Sequence, residues 1–258
     1  MKEDKLLWSP SDDPFVDAIM DKLRLLALTN ALKYESRFVL RDPYKSFVNS
    51  IIARVKNESK SVIKAGTILY RGRINPVASC KVLDLEGLNA IDLTGYTKEV
   101  PPFSAKEMEP PPDDLATPGR INPEGIPYLY CSDDLDTAGS ELRPWKGALI
   151  TIAEIKINKD IEIVDLTVDS QDDIWQIFHE DFSRLFSVQW PHDLKLNYIP
   201  SQYFSEQFKA NSFRGIKYKS GFNDGGNNFA IFHREDYEII STYIVETAYV
   251  GFIFNSKL

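Results

Sequence analysis

Gly119-Arg120-Ile121-Asn122-Pro123-Glu124-Gly125-Ile126-Pro127-Tyr128-Leu129-Tyr130 is a polar turn bracketed by glycines that runs into an aromatic strand, with Arg120 at its mouth. The strand opening at Leu129-Tyr130 leads on to a short helix, for which Ser132 or Asp133 is a cap and which carries Thr137, Ala138 and Glu141. Upstream, Thr67-Ile68-Leu69-Tyr70 is β-branched and aromatic, and predicts a short strand ending at Arg71-Gly72-Arg73. Between the two lie residues 95–119, rich in proline and acid, with Pro101-Pro102 and Pro110-Pro111-Pro112. This composition predicts an ordered surface loop with extended segments rather than a linker.

Further out, the first sixty residues have helical period. Asp13-Pro14 and Asp42-Pro43 each place a capping carboxylate before a proline at the first helical position, where its missing N–H is not needed. Phe15, Ile19, Leu23 and Leu26 recur at helical spacing after the first, and Phe47, Ile51 and Val55 after the second. Two amphipathic helices result, expected to serve as a packing scaffold for the main domain. Towards the C-terminus, residues 148–157 and 161–166 predict strands. Trp175, Phe178, Phe182 and Phe186 mark a helix over 172–189, and Ser201 after Pro200 caps another to Asn211. Strands return from Gly215, through Phe229-Ala230-Ile231-Phe232 and the aromatic stretch Tyr237 to Phe254. Helices and strands mix without βαβα alternation. The fold class is therefore α+β, with a largely antiparallel or split sheet and flanking helices. Residues 1–62 are an N-terminal helical extension and residues 63–258 the main domain.

Charge and cysteine usage exclude several classes. With 38 acidic and 30 basic residues the net charge is −8, which argues against a broad nucleic-acid surface because that needs lysine and arginine to neutralise phosphates. Cys80 and Cys131 form no CxxC and imply no disulfide framework. Met1-Lys2-Glu3-Asp4-Lys5 carries mixed charge, no apolar run suits a secretion signal, and none spans a bilayer; the cytoplasm is expected, with both cysteines reduced. There is no GxxxxGK[ST] and no GxSxG. Gly221-Phe222-Asn223-Asp224-Gly225-Gly226 is not GxGxxG and precedes a strand, and His179, His192 and His233 are too scattered for a metal motif.

What remains is a set of arginines and tyrosines, one glutamate and one serine. Arg71, beside Gly72 and Arg73, can grip a phosphate bidentately while the glycine admits close backbone approach. Tyr130 offers a flat face to a nicotinamide or adenine. Glu141 sits among small residues in Ala138-Gly139-Ser140-Glu141, and Ser220 stands in Tyr218-Lys219-Ser220-Gly221 before the glycine-rich turn. Each taken alone is an ordinary turn, core or surface residue. Together they suit cleavage of the nicotinamide–ribose bond of NAD. That reaction expels a neutral leaving group, needs no metal, and needs a carboxylate beside an oxocarbenium-like transition state.

An arginine after an early strand, GRxNxxGxxxLY from Gly119, a helix carrying glutamate, and YxS before a glycine-rich turn resemble, in that order, the RES family, named for its arginine, glutamate and serine. The resemblance covers residues 66–235, with the Ala148–Leu166 segment and the Gln202 helix also similar. It implies a compact fold similar to ADP-ribosyltransferase toxins with NAD as substrate in a cleft. The implied enzyme is an NAD glycohydrolase or phosphorylase acting as a growth-inhibiting toxin, or an ADP-ribosyltransferase acting on a protein. Carried over by motif, Arg71 binds NAD phosphate, with Arg73 as its rival. Arg120 is the second arginine, Tyr130 the ring partner, Glu141 the catalytic carboxylate, and Ser220 the serine touching nicotinamide or ribose. Many RES proteins pair with an antitoxin carrying an Xre-type DNA-binding domain, which makes such a protein an expected partner. The two N-terminal helices, the proline-rich stretch and the 172–189 helix exceed the compact members, and Asn227 or Asn228 is a further candidate in the site. Two other classes stay open: a non-catalytic binding or regulatory protein with the same fold, and a hydrolase using Ser220 or Cys131 with His233.

Overall fold

A computed structural model describes residues 7–76, 100–168 and 173–251. Cys80, residues 95–99, the charged residues Met1 to Lys5 and the last residues of the final apolar stretch lie outside this set. Helix α1 (Pro14–Tyr34) begins as its sequence dictates: Asp13 Oδ1 accepts the Phe15 N–H at 2.9 Å, and Pro14 needs no partner. Helix α2 (Asp42–Glu58) differs by one residue, because Arg41 occupies the cap and Asp42 is already helical, its carboxylate facing the positive end of the helix dipole. Phe47, Ile51 and Val55 are buried as their spacing predicts. Phe15, Ile19, Leu23 and Leu26 are not: α1 buries Ala18, Leu25, Leu28, Ala31 and Leu32 instead. The buried face also carries Arg24, whose guanidinium is accommodated by Asp21 Oδ1 at 2.6 Å and by the carbonyls of Leu7 and Ser9.

The remaining elements are β1 (Lys60–Ile63), β2 (Ile68–Ile74), α3 (Ala105–Met108), β3 (Leu129–Ser132), α4 (Leu135–Ser140), β4 (Leu149–Ile157), β5 (Ile161–Asp165), α5 (Asp173–Ser187), α6 (Ile199–Ala210), β6 (Gly215–Lys219), β7 (Asn227–Ile231) and β8 (Tyr237–Glu246). The strands form one mixed sheet in the order β1-β5-β6-β7-β3-β2-β4-β8, antiparallel throughout except for β5 and β6. The fold is thus the expected α+β arrangement. The sheet is close to split: β2 and β3 share a single register pair, Tyr70 with Ser132, whereas β2 and β4 share seven.

Several local boundaries differ from the sequence expectation. Strand β2 does not end at Arg71-Gly72-Arg73, since those residues pair with Ala153, Ile152 and Thr151 of β4. Helix α4 is capped by Asp134 rather than by Ser132 or Asp133: Asp134 Oδ1 accepts the Thr137 N–H at 2.7 Å. Ser201 lies inside α6 and caps nothing; its hydroxyl donates to the carbonyls of Arg120 (2.6 Å) and Tyr198 (2.9 Å). The described part of the proline-rich loop is ordered as expected. Ser104 and Glu107 form a capping box on α3, Met108 is buried, and Tyr237 donates to Glu109 at 2.7 Å.

Strand alternation sends side chains to two cores. On one face, Ile163, Leu129, Phe229 and Ile231 join Leu69, Ile155 and Tyr237. On the other, Val164, Ile216 and Ala230 meet α1, α2, α5 and α6, with Phe178, Phe182, Phe186, Phe204 and Phe208 at the centre. The N-terminal helices therefore share their core with α5 and α6. Phe182 is stacked on Phe178 at 5.7 Å and meets the edge of Phe204 at 4.8 Å. Truncating this fully buried ring removes both contacts and leaves a cavity. Phe182→Ala is expected to lower unfolding free energy by about 3–5 kcal/mol, measured by denaturant titration; a loss below about 1 kcal/mol would contradict the packing described.

Candidate active site

The cleft opens where the sheet parts. A cavity of about 300 Å³ lies between β2, β3 and α4, bordered by Tyr70, Arg71, Arg120, Tyr130, Glu141, Tyr218 and Asn228. Gly72 makes this placement feasible, for a Cβ there would stand 2.9 Å from both the Ala138 carbonyl oxygen and Leu142 Cδ1. Without that side chain α4 presses onto β2, and Glu141, at the C-terminal cap of α4, reaches the cleft.

Glu141 is held from both carboxylate oxygens. Oε1 accepts from Ser220 Oγ at 2.8 Å and Asn228 Nδ2 at 2.5 Å. Oε2 accepts from Gln189 Nε2 at 2.8 Å and faces Arg120 Nη2 at 3.6 Å. Asn228 is itself oriented, because the Ser132 hydroxyl donates to its Oδ1 at 2.7 Å and so turns the amide nitrogen towards the carboxylate. Ser220 also accepts the N–H groups of Phe222 and Asn223, both at 3.1 Å, which fixes its turn. Its hydroxyl hydrogen goes to Glu141. Gln189 bonds Arg143 as well, and Arg143, at a φ of 51° that is unusual outside glycine, lies over the Phe222 ring at 4.7 Å. This amide ties the segment after α5 to the end of α4 at the rim, and Arg143 carries the contact on to Phe222.

Arg120 is delivered by its turn. The Tyr130 hydroxyl donates to Asn122 Oδ1 (2.8 Å) and accepts the N–H groups of Ile121 (3.0 Å) and Asn122 (3.1 Å). Gln202 of α6 donates to the Gly119 carbonyl at 2.7 Å. Gly119 must lack a side chain, since a Cβ would lie 2.4 Å from Asn122 Oδ1 and 2.9 Å from the Tyr130 hydroxyl. The Arg120 guanidinium covers the Tyr218 ring at 5.5 Å. It also reaches towards the last carbonyls of α5, Phe186 and Ser187, at 3.4 and 3.5 Å, where the helix dipole favours a cation. Tyr130 thus gives its hydroxyl to the turn and only its ring to the cleft. Burial raises its pKa and that of Tyr218, so both stay neutral donors.

Arg71 shares the strand face of Leu69, opposite Tyr70 and Gly72, and its guanidinium fills the gap between β2 and β3. Nη1 donates to the Tyr130 carbonyl at 2.9 Å, while Nε is buried without an acceptor. Loss of water there lowers its pKa. No carboxylate pairs with it within 4.0 Å among the described residues, which leaves a positive charge at the back of the cleft available to an anion. Arg73 is elsewhere: it is exposed, donates to the Glu107 carbonyl at 2.6 Å and covers the Phe103 ring at 4.8 Å. Asn227 is likewise occupied outside the cleft, holding Asp133 at 2.7 Å.

Among the expected site residues, the structure gathers Arg71, Arg120, Tyr130, Glu141 and Ser220, and sets Arg73 apart. Gln189, Asn228, Tyr218 and Ser132 complete the group; in sequence Asn228 was signalled by its place after the glycine-rich turn and Tyr218 by the YxS motif, while nothing marked Gln189 or Ser132 as site residues. The hydrolase arrangement is absent: Ser220 bonds Glu141, burial pushes the Cys131 thiol up to about 12, and His233 lies 3.9 Å from Glu235. Among the described residues no group of His, Cys, Asp and Glu is placed to hold a metal ion, and no helix is long and apolar enough to cross a membrane.

The RES domain family matches residues 91–248, more than half of the chain, and the chain belongs to that family. The matched span includes Arg120, Tyr130, Glu141 and Ser220 and begins after Arg71. No curated protein matches the chain. Among solved structures it is similar to the toxin–antitoxin complex MbcT–MbcA of M. tuberculosis, at 13% identity and a TM-score of 0.43, over 78% of this chain and 92% of that one.

The Glu141 cluster sets an order of costs. Asn228→Ala removes one donor and is expected to cost about 1–3 kcal/mol of stability. Asn228→Asp places a second carboxylate against the first and should cost more at neutral pH, because like charges at this separation repel inside a protein. Chemical denaturation of both variants checks the order; an aspartate variant as stable as the alanine one would contradict the contact.

Proposed function

We propose that this protein cleaves the nicotinamide–ribose bond of NAD, by hydrolysis or phosphorolysis, as a growth-inhibiting toxin. The observation that carries this reading is the Glu141 carboxylate, fixed by Ser220, Asn228 and Gln189 beside the Arg120 cation in an aromatic cleft. Membership of the RES family supports it.

The chemistry suits such a site. When the C–N bond breaks, its electron pair leaves with nicotinamide, which departs neutral because it was a pyridinium. No acid is needed for that step. Positive charge builds on the ribose, and a carboxylate whose orientation is already set stabilises it without further reorganisation. Water or phosphate then adds at the anomeric carbon, releasing a proton if water is the acceptor. Arg120 at the mouth, and Arg71 at the back of the gap, are the cations proposed to hold the diphosphate. Tyr70, Tyr130 and Tyr218 are proposed to supply flat walls for the rings. The proposed catalytic unit is residues 63–258, with the helical extension beneath it. The proposed setting is the cytoplasm, and the proposed partner an antitoxin of Xre type, as the family implies.

Nicotinamide release from NAD, with products identified in the presence and absence of phosphate, tests the reading. Glu141→Gln keeps the shape of the side chain and removes its charge. It should reduce release by about 10²–10³-fold while the protein stays folded. Undiminished release from a folded variant would overturn the assignment.

A further inference from the structure

Helix α1 is apolar on two faces, one packed into its own domain and one turned outward. Its charged residues turn towards the protein: Arg24 pairs with Asp17 at 3.2 Å and Asp21 at 2.6 Å, and Lys22 pairs with Asp181 of α5 at 2.9 Å. Its outward face is apolar. Val16, Ile19, Leu23 and Leu26 are 42, 43, 48 and 58% exposed. A helix normally hides such residues and shows its charges, so this face is built to be covered.

The spacing says by what. Val16, Ile19, Leu23, Leu26 and Asn30 succeed one another at intervals of three, four, three and four, the seam of a two-stranded coiled coil and not the broader stripe of a helix lying on a globular core. Taking Val16, Leu23 and Asn30 as a positions makes Ile19 and Leu26 the d positions. The residues packed inward, Ala18, Leu25, Leu28, Ala31 and Leu32, then fall on the far side of the helix from the seam. One face of α1 thus serves its own domain and the other a second helix.

We infer that the second helix is α1 of another copy of this chain, lying parallel to the first about a two-fold axis. Two features favour a copy over a foreign helix. The Asn30 side chain is exposed and bonded to nothing among the described residues, and in a parallel pair it faces its own equivalent, each amide offering the donor and acceptor the other lacks. The residues flanking the seam, Met20 and Ala27 on one side and Lys22 and Thr29 on the other, hold one charge, already paired inward. A foreign partner would be selected by flanking charges, and these are missing. Phe15 before the seam and Tyr34 at the last position of the helix, 55 and 71% exposed, extend the apolar strip along the length of α1.

Sedimentation velocity of the full chain from about 1 to about 100 μM tests this, a range that covers the weak end of stable interfaces. The expected result is a species of twice 29.4 kDa that returns to the single mass in Leu23→Glu/Leu26→Glu. Both substitutions lie on exposed positions, and an unchanged far-UV spectrum verifies that the variant is folded. Asn30→Cys should link two copies on mild oxidation, above the level given by Cys80 and Cys131 in the unsubstituted chain. A monomer throughout, a dimer undisturbed by the two glutamates, or no crosslink at residue 30 would each overturn the proposal.

Discussion

Between β3 and β2 the sheet has almost no backbone ladder, and the bond from Arg71 to the Tyr130 carbonyl spans the gap. An unpaired carbonyl on a strand edge would need water or another partner. Here a side chain supplies the donor that a continuous sheet would take from the next strand. The gap is what the site is made of: it admits the cavity, exposes the ring of Tyr130, and leaves an arginine at the back. Two flanking ladders, β2 with β4 and β3 with β7, bound the opening on either side.

Into that gap the protein brings groups from five places in the chain. Glu141 comes from the end of α4, Ser220 from the end of β6, Asn228 from β7, Gln189 from beyond α5, and Arg120 from the turn before β3. A partly buried polar cluster of this kind is stable only when its members satisfy one another. Glu141 accepts from three neutral donors and faces one cation, and Asn228 has its own hydrogen-bond support in Ser132. Tyr130 spends its hydroxyl on the turn that carries Arg120, so one tyrosine both walls the cleft and positions its cation.

Helix α5 links the aromatic core to the site. Its inward rings build the centre of the helical layer, while its last carbonyls lie beside Arg120, and Gln189, two residues past its end, reaches Glu141. On its other side it meets α1 through the Lys22–Asp181 pair. The same helix therefore contacts the inward side of α1 along its length and the cleft residues Arg120 and Glu141 at and just beyond its end.

Local signals place most of the elements. Asp-Pro starts, β-branched runs and aromatic residues at helical spacing mark the two N-terminal helices, the long strands and α5, because caps and periodicity act within a few residues. The motifs around Arg120, Tyr130, Glu141 and Ser220 are legible for the same reason. The sequence could not decide which face of α1 turns inward, since both carry apolar residues and the choice depends on α5 and α6. It could not show that Arg71 lies in mid-strand, because only pairing with β4 continues the strand. Nor could it separate Arg71 from Arg73, or find Gln189 forty-eight residues from Glu141. Chain order determined the elements and the candidate chemistry; the parting of β2 from β3, a balance of long-range pairings, decided which of those residues meet.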